Sequence, residues 1–271
     1  MIRIAVDAMG GDNAPEELVA GAVEAVKEKS EIKVLLIGQK DAVNRELSKY
    51  TYNKEQIEVI HASEVIATEE PPVNAVRKKK DSSLVVGMNM VRKGEADAIV
   101  SAGSTGAILV GGQVLVGRIK GVERPPLAVL IPTDKGVSLL LDGGANVDAR
   151  PSHLVQFAKM GSIYMEHAMG VKHPRVAIVN IGAEEEKGNA LVKETFPLLK
   201  ECGDINFTGS IEAREIPHGG ADVIVAEAFV GNVILKLYEG VGAALISKVK
   251  EGMMTLSLIH ISEPTRLQLI S

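Results

Sequence analysis

Asp142-Gly-Gly-Ala-Asn-Val-Asp-Ala-Arg-Pro-Ser-His-Leu-Val-Gln-Phe-Ala-Lys-Met-Gly-Ser-Ile-Tyr164 follows directly on an apolar run, Val137–Leu141. That run is short and uniform enough to be a strand buried on both faces. Gly143 and Gly144 let the backbone turn sharply, and Asp142, Asn146 and Asp148 crowd polar side chains into seven positions. Pro151 is placed for the first turn of a helix, with Ser152 close enough to cap it. Beyond it Leu154, Phe157, Ala158, Gly161, Tyr164 and Met165 recur at helical spacing. Strand, glycine turn, helix start is how an open α/β sheet builds a ligand site at the carboxyl ends of its strands. The helix start offers free N–H groups and a partial positive charge to an anion. Three carboxylate or amide side chains beside a double glycine are costly for a mere turn, so the stretch reads as part of a ligand site on a rigid scaffold.

The same rhythm extends to both sides. Ile2–Val6 is a strand, Asp7–Pro15 the loop leaving it, and Glu16–Lys27 a helix with Leu18, Val19, Ala22, Val23 and Val26 on one face. Lys33–Ile37 and Glu58–His61 are further strands, with a helix over Asp41–Tyr50 between them. This βαβαβ order predicts a parallel, helix-covered sheet with right-handed crossovers. Ala96–Val100, Leu127–Ile131, Arg175–Asn180 and Asp222–Ala226 read as strands too, and Ile108 to about Val116 as a helix. A helical region starts near Val233 and continues through Glu251. Glycine-bearing loops leave the strands at 7–15, 101–107, 142–148, 180–188 and 227–232, and are expected to converge at one rim of the sheet as one composite site.

Composition narrows the function. The chain has 271 residues, enough for one large domain or two intertwined ones. With no Trp, four Phe and four Tyr, its core is aliphatic. A net charge of −5 argues against a general nucleic-acid binder, which needs a basic face. One cysteine excludes an intrachain disulfide and suits a reducing cytosol. The sequence opens directly on the first strand, so no signal peptide is expected. Ala98–Gly117 lacks charge over nearly a membrane span, but Ser101, Ser104, Thr105, Gln113 and five glycines interrupt it, so a soluble protein is expected.

Particular residues carry the chemistry. Ser101-Ala-Gly-Ser-Thr-Gly-Ala107 sets small residues and hydroxyls at a strand-to-helix turn, which suits a phosphate held by backbone N–H groups with Ser104 and Thr105. No G-x-S-x-G makes either serine a hydrolase nucleophile. Neither dinucleotide nor P-loop glycine fingerprints occur, so nucleotide cofactors lose support. His153, His167 and His218 lack metal-ligand spacing, and no neighbour of Cys202 suggests an activated thiolate. Lys187 lies in a glycine-flanked loop behind three acids; a solvated charge cluster is its plain reading. Asn232 and Lys236, four apart, share a helix face. Arg77-Lys-Lys-Lys80 is either a solvated helix face or a docking patch for an acidic partner.

Taken together, these loops resemble the bacterial phosphate acyltransferases of phospholipid synthesis (the PlsX type), which make acyl phosphate from acyl-acyl carrier protein. The matching stretches are Asp7–Pro15, Lys80–Ser83, Ser101–Ala107, Asp142–Tyr164, Pro174–Val176, Asn180–Gly182, Glu186–Gly188 and Phe229–Val233. The similarity runs from Met1 to about Thr255. Ser104 stands where the family pattern leads one to expect Asn, and Glu227-Ala228 where it leads one to expect Asp-Gly. The resemblance implies a three-layer α/β/α sandwich with a mostly parallel sheet, akin to isocitrate and isopropylmalate dehydrogenases. It also implies a homodimer in the cytoplasm with loose peripheral membrane contact, and no cofactor, metal or nucleic-acid partner.

In the implied chemistry orthophosphate is the nucleophile toward a thioester, so the protein has only to hold phosphate, orient the thioester and stabilise the oxyanion. Lys187 and Asn232 are the expected polarising groups, with Asp142 ordering the site and His153 a candidate proton carrier. Gly10, Gly11, Asp12, Ser101, Gly103, Ser104, Thr105, Asn146, Asp148, Asn180 and Lys236 are the expected substrate-binding residues. Arg77, Lys78, Lys79 and Lys80 are expected to meet the acidic carrier protein. Two alternatives remain: a metal- and NAD-dependent hydroxyacid decarboxylating dehydrogenase on the same fold, and a non-catalytic carrier-protein adaptor. Finally, Leu256-Ser-Leu-Ile-His-Ile-Ser-Glu-Pro-Thr-Arg266 resembles a translated sequencing adapter. Residues 256–271 are therefore expected to be a foreign tail on a C-terminally truncated chain, irregular after about Thr255.

Overall fold

The computed structural model describes residues 1–262, with side chains through Met254. The chain divides into two compact units, Met1–Pro125 and Pro126–Ser271, each with its own sheet. Two sheets thus replace the single one expected from the unbroken βα rhythm. Both are mostly parallel and helix-covered, so the fold is α/β.

The first unit orders its strands β3-β2-β1-β4, all parallel: β1 is Ile2–Asp7, β2 Ile32–Gly38, β3 Ile57–His61 and β4 Ala98–Val100. Side chains alternate across a strand, so each strand feeds two cores. Val6, Val34 and Leu36 pack with Val19, Val23 and Val26 of helix α1 (Glu16–Glu28) and Val43 of α2 (Lys40–Leu47). Ala5, Leu35 and Ile37 face the other way, beneath Val86 and Met90 of α4 (Ser83–Lys93). Helix α4 was not anticipated, although its signals are local. Ser82 caps it by accepting the Val85 N–H, and Gly94 closes it at φ 72°. The segment after Glu70 contains another helix, α3 (Pro72–Lys78), with proline at its first position. Helix α5 (Thr105–Gly111) runs on into a π-helical turn, Gly112–Val116.

The second unit is ordered β5-β6-β9-β7-β8. Strands β6 (Gly136–Leu141), β7 (Arg175–Val179), β8 (Asn206–Ile211) and β9 (Val223–Val225) are parallel. Only edge strand β5 (Ala128–Thr133) runs antiparallel, joined to β6 by a hairpin turning at Gly136 with φ 115°. Leu139, Leu141, Val176, Ile178, Val223 and Val225 pack under α6 (Pro151–His167) and α7 (Ala190–Lys200). Leu140, Ala177 and Ile224 face Ile216 and Ile234 on the opposite side, where α8 (Ala228–Ser262) begins. Gly161 lets α6 lie on the sheet: a Cβ there would stand 2.4 Å from Leu141 Cδ1.

Two local expectations are corrected. The residue flanking α6 is Arg150, not Ser152; its N–H donates to Nδ1 of His153 at 3.1 Å, so the histidine serves the helix start. Helix α8 does not end near Thr255 but continues to Ser262, because residues 256–262 contain no breaker, the first proline being Pro264. The remainder of the expected tail, 263–271, lies outside the described residues.

Candidate active site

Within the first unit the loops leaving β1 and β4 are tied together by Asp7. Its carboxylate, 3% exposed, accepts the Ser101 hydroxyl at 2.7 Å and the Met9 N–H at 3.2 Å. Ser101 Oγ in turn accepts the Gly103 N–H at 3.1 Å. Gly10 fits because it has no side chain: a Cβ would lie 2.5 Å from Asp7 Oδ2 and 2.9 Å from the Gly103 nitrogen. Ser104 caps α5, accepting the Ala107 N–H at 3.4 Å and leaving its hydroxyl proton to donate elsewhere. Thr105 and Asp12 are exposed beside these loops. Gly10, Gly11, Ser101, Gly103, Ser104 and Thr105 therefore do sit on neighbouring strand ends, as their positions predicted.

Within the second unit three loops meet at the strand ends. Asp142 is fully buried and adopts φ 64°, the left-handed region. Its Oδ1 accepts the N–H groups of Ala145 at 2.8 Å and Leu127 at 3.3 Å, and its Oδ2 that of Asn146 at 3.0 Å. The carboxylate thus supports the backbone of its own loop. The start of α8 lies directly on this loop. A Cβ at Gly231 would stand 2.2 Å from the Asp142 carbonyl oxygen, so only glycine allows the approach. The side chain of Asn232 consequently lies over Gly144, 3.4 Å from where a Cβ would be. Glu227 caps α8, its carboxylate accepting from Phe229 at 2.7 Å and Val230 at 2.9 Å. Those N–H groups are therefore taken, and the α8 start is not an open anion site.

Asn180 staples the third loop, 180–188. Its Nδ2 donates to the Lys187 carbonyl and to Ser210 Oγ, both at 3.1 Å, while its Oδ1 accepts the Ile181 N–H at 2.8 Å. The side chain of Lys187 runs over Gly182 and pairs with Glu184 at 2.8 Å. That hydrogen bond, with the carboxylate's charge, holds the lysine above its ordinary pKa, so it is cationic at neutral pH. Lys236 pairs with Glu239 at 2.8 Å and is exposed. Asp148 is exposed, Asn146 buried, and His153 buried with its Nδ1 turned to the backbone. Among the described residues no group of three His, Cys, Asp or Glu side chains could hold a metal.

Other matched stretches are structural. Arg175 clasps Asp222 at 2.9 Å and reaches the Gly219 and Gly220 carbonyls, fastening the starts of β7 and β9. Asp81 accepts the Ser63 hydroxyl at 2.5 Å and its N–H at 2.9 Å, which holds its pKa below the ordinary aspartate value. In the basic run, Lys79 donates to Glu70 at 2.5 Å and to the Val65 carbonyl at 2.7 Å, so it braces α3. Arg77, Lys78 and Lys80 are exposed at the end of that helix.

Sequence reasoning did not find the cleft beside loop 180–188, of about 580 Å³ and lined among others by Val179, Val192, Phe229 and Val233. These residues come from three elements whose approach no local pattern announces. An apolar surface also runs along α8. Leu237, Val241, Leu245, Val249 and Met253 recur every fourth residue and are exposed. By length and composition Ala228–Met254 is long and apolar enough to cross a membrane, unlike the interrupted stretch 98–117.

Comparison with known proteins identifies the family. Residues 2–259 match the model described as fatty acid synthesis protein. A phosphate acyltransferase of Alkaliphilus oremlandii is 54% identical over 250 residues, 92% of this chain and 74% of that one. A phosphate acyltransferase of Clostridium beijerinckii is 50% identical over 258 residues, covering 95% and 78%. A solved phosphotransacetylase from Streptococcus pyogenes superposes with a TM-score of 0.65 at 19% identity, over 89% of this chain and 82% of that one, and so shares the fold. By these relatives, half of its residues identical along nearly its whole length, this chain belongs to the fatty acid synthesis protein family and is an acyltransferase of the phosphate acyltransferase type.

Proposed function

We propose that the chain transfers a fatty acyl group from acyl-acyl carrier protein to orthophosphate, giving acyl phosphate for phospholipid synthesis. The observation that carries this reading is the construction of the second unit's strand ends. A cationic lysine stands on a loop closed by buried Asn180, and the Asn232 carboxamide stands on α8 against the loop held by buried Asp142, in a family of phosphate acyltransferases. A phosphate oxygen attacks the thioester carbonyl carbon. The C–O bond forms through a tetrahedral oxyanion, the C–S bond breaks, and the sulfur leaves to take up a proton. Lys187, released from its exposed pair with Glu184 at little cost, and the Asn232 carboxamide stabilise the oxyanion. In the first unit the Gly11 N–H and the Ser104 and Thr105 hydroxyls can donate to phosphate, on loops shaped by Gly10, Ser101 and Gly103, which are engaged with Asp7 and with one another, and Asp12 borders them; in the second unit Asn146, Asp148, Asn180 and Lys236 border the acyl donor. Asp142 and His153 act by positioning, since both are engaged with backbone.

The reading extends to partners. Arg77, Lys78 and Lys80 present positive charge to the acidic carrier protein, and the exposed apolar face of α8 suits a homodimer in the cytoplasm with peripheral membrane contact. Incubation with acyl-carrier protein and labelled orthophosphate tests the activity. Label is expected in acyl phosphate, and Lys187→Ala is expected to lower turnover by about two orders of magnitude with the fold intact. Near-normal turnover of that variant would make the lysine an ordinary surface charge.

A further inference from the structure

The geometry points to the 580 Å³ cleft of the second unit as the seat of the donor's alkyl chain, an assignment that rests on the acyl-transfer reading above. Its size falls within the range that buries a small organic ligand. Its walls are Val179 and Ile181 at the end of β7, Val192 on α7, and Phe229, Val233 and Ile234 on α8. Phe229, Ile181 and Val233 keep 69%, 79% and 52% of their surface exposed, an apolar mouth that water covers poorly in the empty protein.

The polar groups on the walls are mostly engaged, Arg214 alone keeping its guanidinium largely exposed to water. Asn180 is spent on Lys187, Ser210 and Ile181, Asn189 Oδ1 caps α7 through the Val192 N–H, and Arg214 pairs with Glu212 at 3.0 Å. An occupant therefore gains apolar contact and little polar recognition, which favours a hydrocarbon over a polar ligand. The cleft borders the candidate site along the chain. Gly188 of its wall follows Lys187, and Val233 follows Asn232, so the proposed seating turns the chain's carbonyl end toward these two residues. Val192, at the inner wall where α7 starts, and Ala213, on the turn after β8, then set how long a chain is accepted.

The test uses saturated acyl-carrier proteins of increasing chain length, assayed for acyl phosphate, and a matching series of unreactive alkyl phosphonates bound by calorimetry. Each methylene that enters the cleft is expected to raise kcat/KM, and phosphonate affinity, about fourfold. Ala213→Trp and Val233→Trp, both at exposed positions, are expected to flatten both series while sparing the shortest members. Series that keep their slope in both variants would overturn the assignment, even with the transferase activity intact. A change of oligomeric state in Val233→Trp, with the slopes unchanged, would also overturn it, giving the cleft to a second copy of the chain. Absence of acyl phosphate from every donor would instead refute the transfer reading, while the phosphonate series still decides the cleft.

Discussion

Gly231→Ala adds one methyl group where α8 crosses the Asp142 loop, 2.2 Å from the Asp142 carbonyl oxygen and 2.9 Å from its carbon. Both are backbone atoms, and Asp142 is held by three N–H groups, so the obstacle cannot swing aside. Overpacking of this kind costs about 1–3 kcal/mol, and a backbone clash belongs at the upper end. Alanine's better helix propensity returns at most about 1 kcal/mol, leaving a net loss of about 2 kcal/mol. Gly240→Ala is the control within the same helix: nothing lies within 4 Å of its added Cβ, so it should gain about 0.5–1 kcal/mol. Two separate units make a single melting temperature ambiguous. Hydrogen exchange resolves this, with amides of β6 and β9 expected to lose protection in Gly231→Ala and those of β1 and β2 to stay unchanged. Because Asn232 is the next residue, turnover should fall as well. Equal stabilisation by the two substitutions would refute the close approach of α8 to the Asp142 loop, and with it the placement of Asn232.

Asp142→Asn keeps a residue that tolerates positive φ but turns an amide donor toward one of the three backbone N–H groups; a loss of about 2 kcal/mol is expected in urea titrations. Burial raises the pKa of Asp222, but its hydrogen bonds to Arg175 and that residue's charge outweigh the effect and leave it lowered. Its contribution is therefore full above the ordinary aspartate value of about 3.9 and is lost as pH falls through the lower native value. Acid unfolding of Asp222→Asn should accordingly show a shallower pH dependence in that window, and an unchanged acid limb would count against the clasp. Neutralising Arg77 and Lys78 should lower the association rate with the carrier protein and its salt dependence in stopped-flow measurements, leaving the chemical step alone. Lys79→Met should instead lower thermal stability, since its ammonium braces Glu70 and the Val65 carbonyl.

Where local chemistry sets the backbone, the sequence was readable. The apolar run Val137–Leu141 is a strand, buried from Ser138 onward though Val137 is exposed, Pro151 opened its helix as expected, and the glycine loops did mark strand ends. What was not readable depended on distant groups. That Gly231 faces a carbonyl, that Asn180 closes the Lys187 loop from within, and that Asp142 spends its carboxylate on backbone are contacts between segments, invisible to spacing. The basic run looked uniform, yet Lys79 differs from its neighbours because Glu70 folds back to it. Helix α4 was missed despite capping signals at Ser82 and Gly94, since Leu84–Val86, Met88, Met90 and Val91 leave no single clear helical stripe. The continuous βα alternation concealed the division at Pro125, because strand order across two sheets leaves no mark on the order along the chain.

Direct attack by orthophosphate on the thioester is the central claim, and whether the protein itself ever carries the acyl group tests it most directly. Acyl-carrier protein would be turned over with fully ¹⁸O-labelled orthophosphate, with intact-protein mass spectra taken in its presence and absence. Four labelled oxygens in the acyl phosphate, the bridging one included, and an unmodified protein mass throughout are predicted. A protein that gains the mass of the acyl group when phosphate is withheld, and releases it when phosphate is added, would contradict the account.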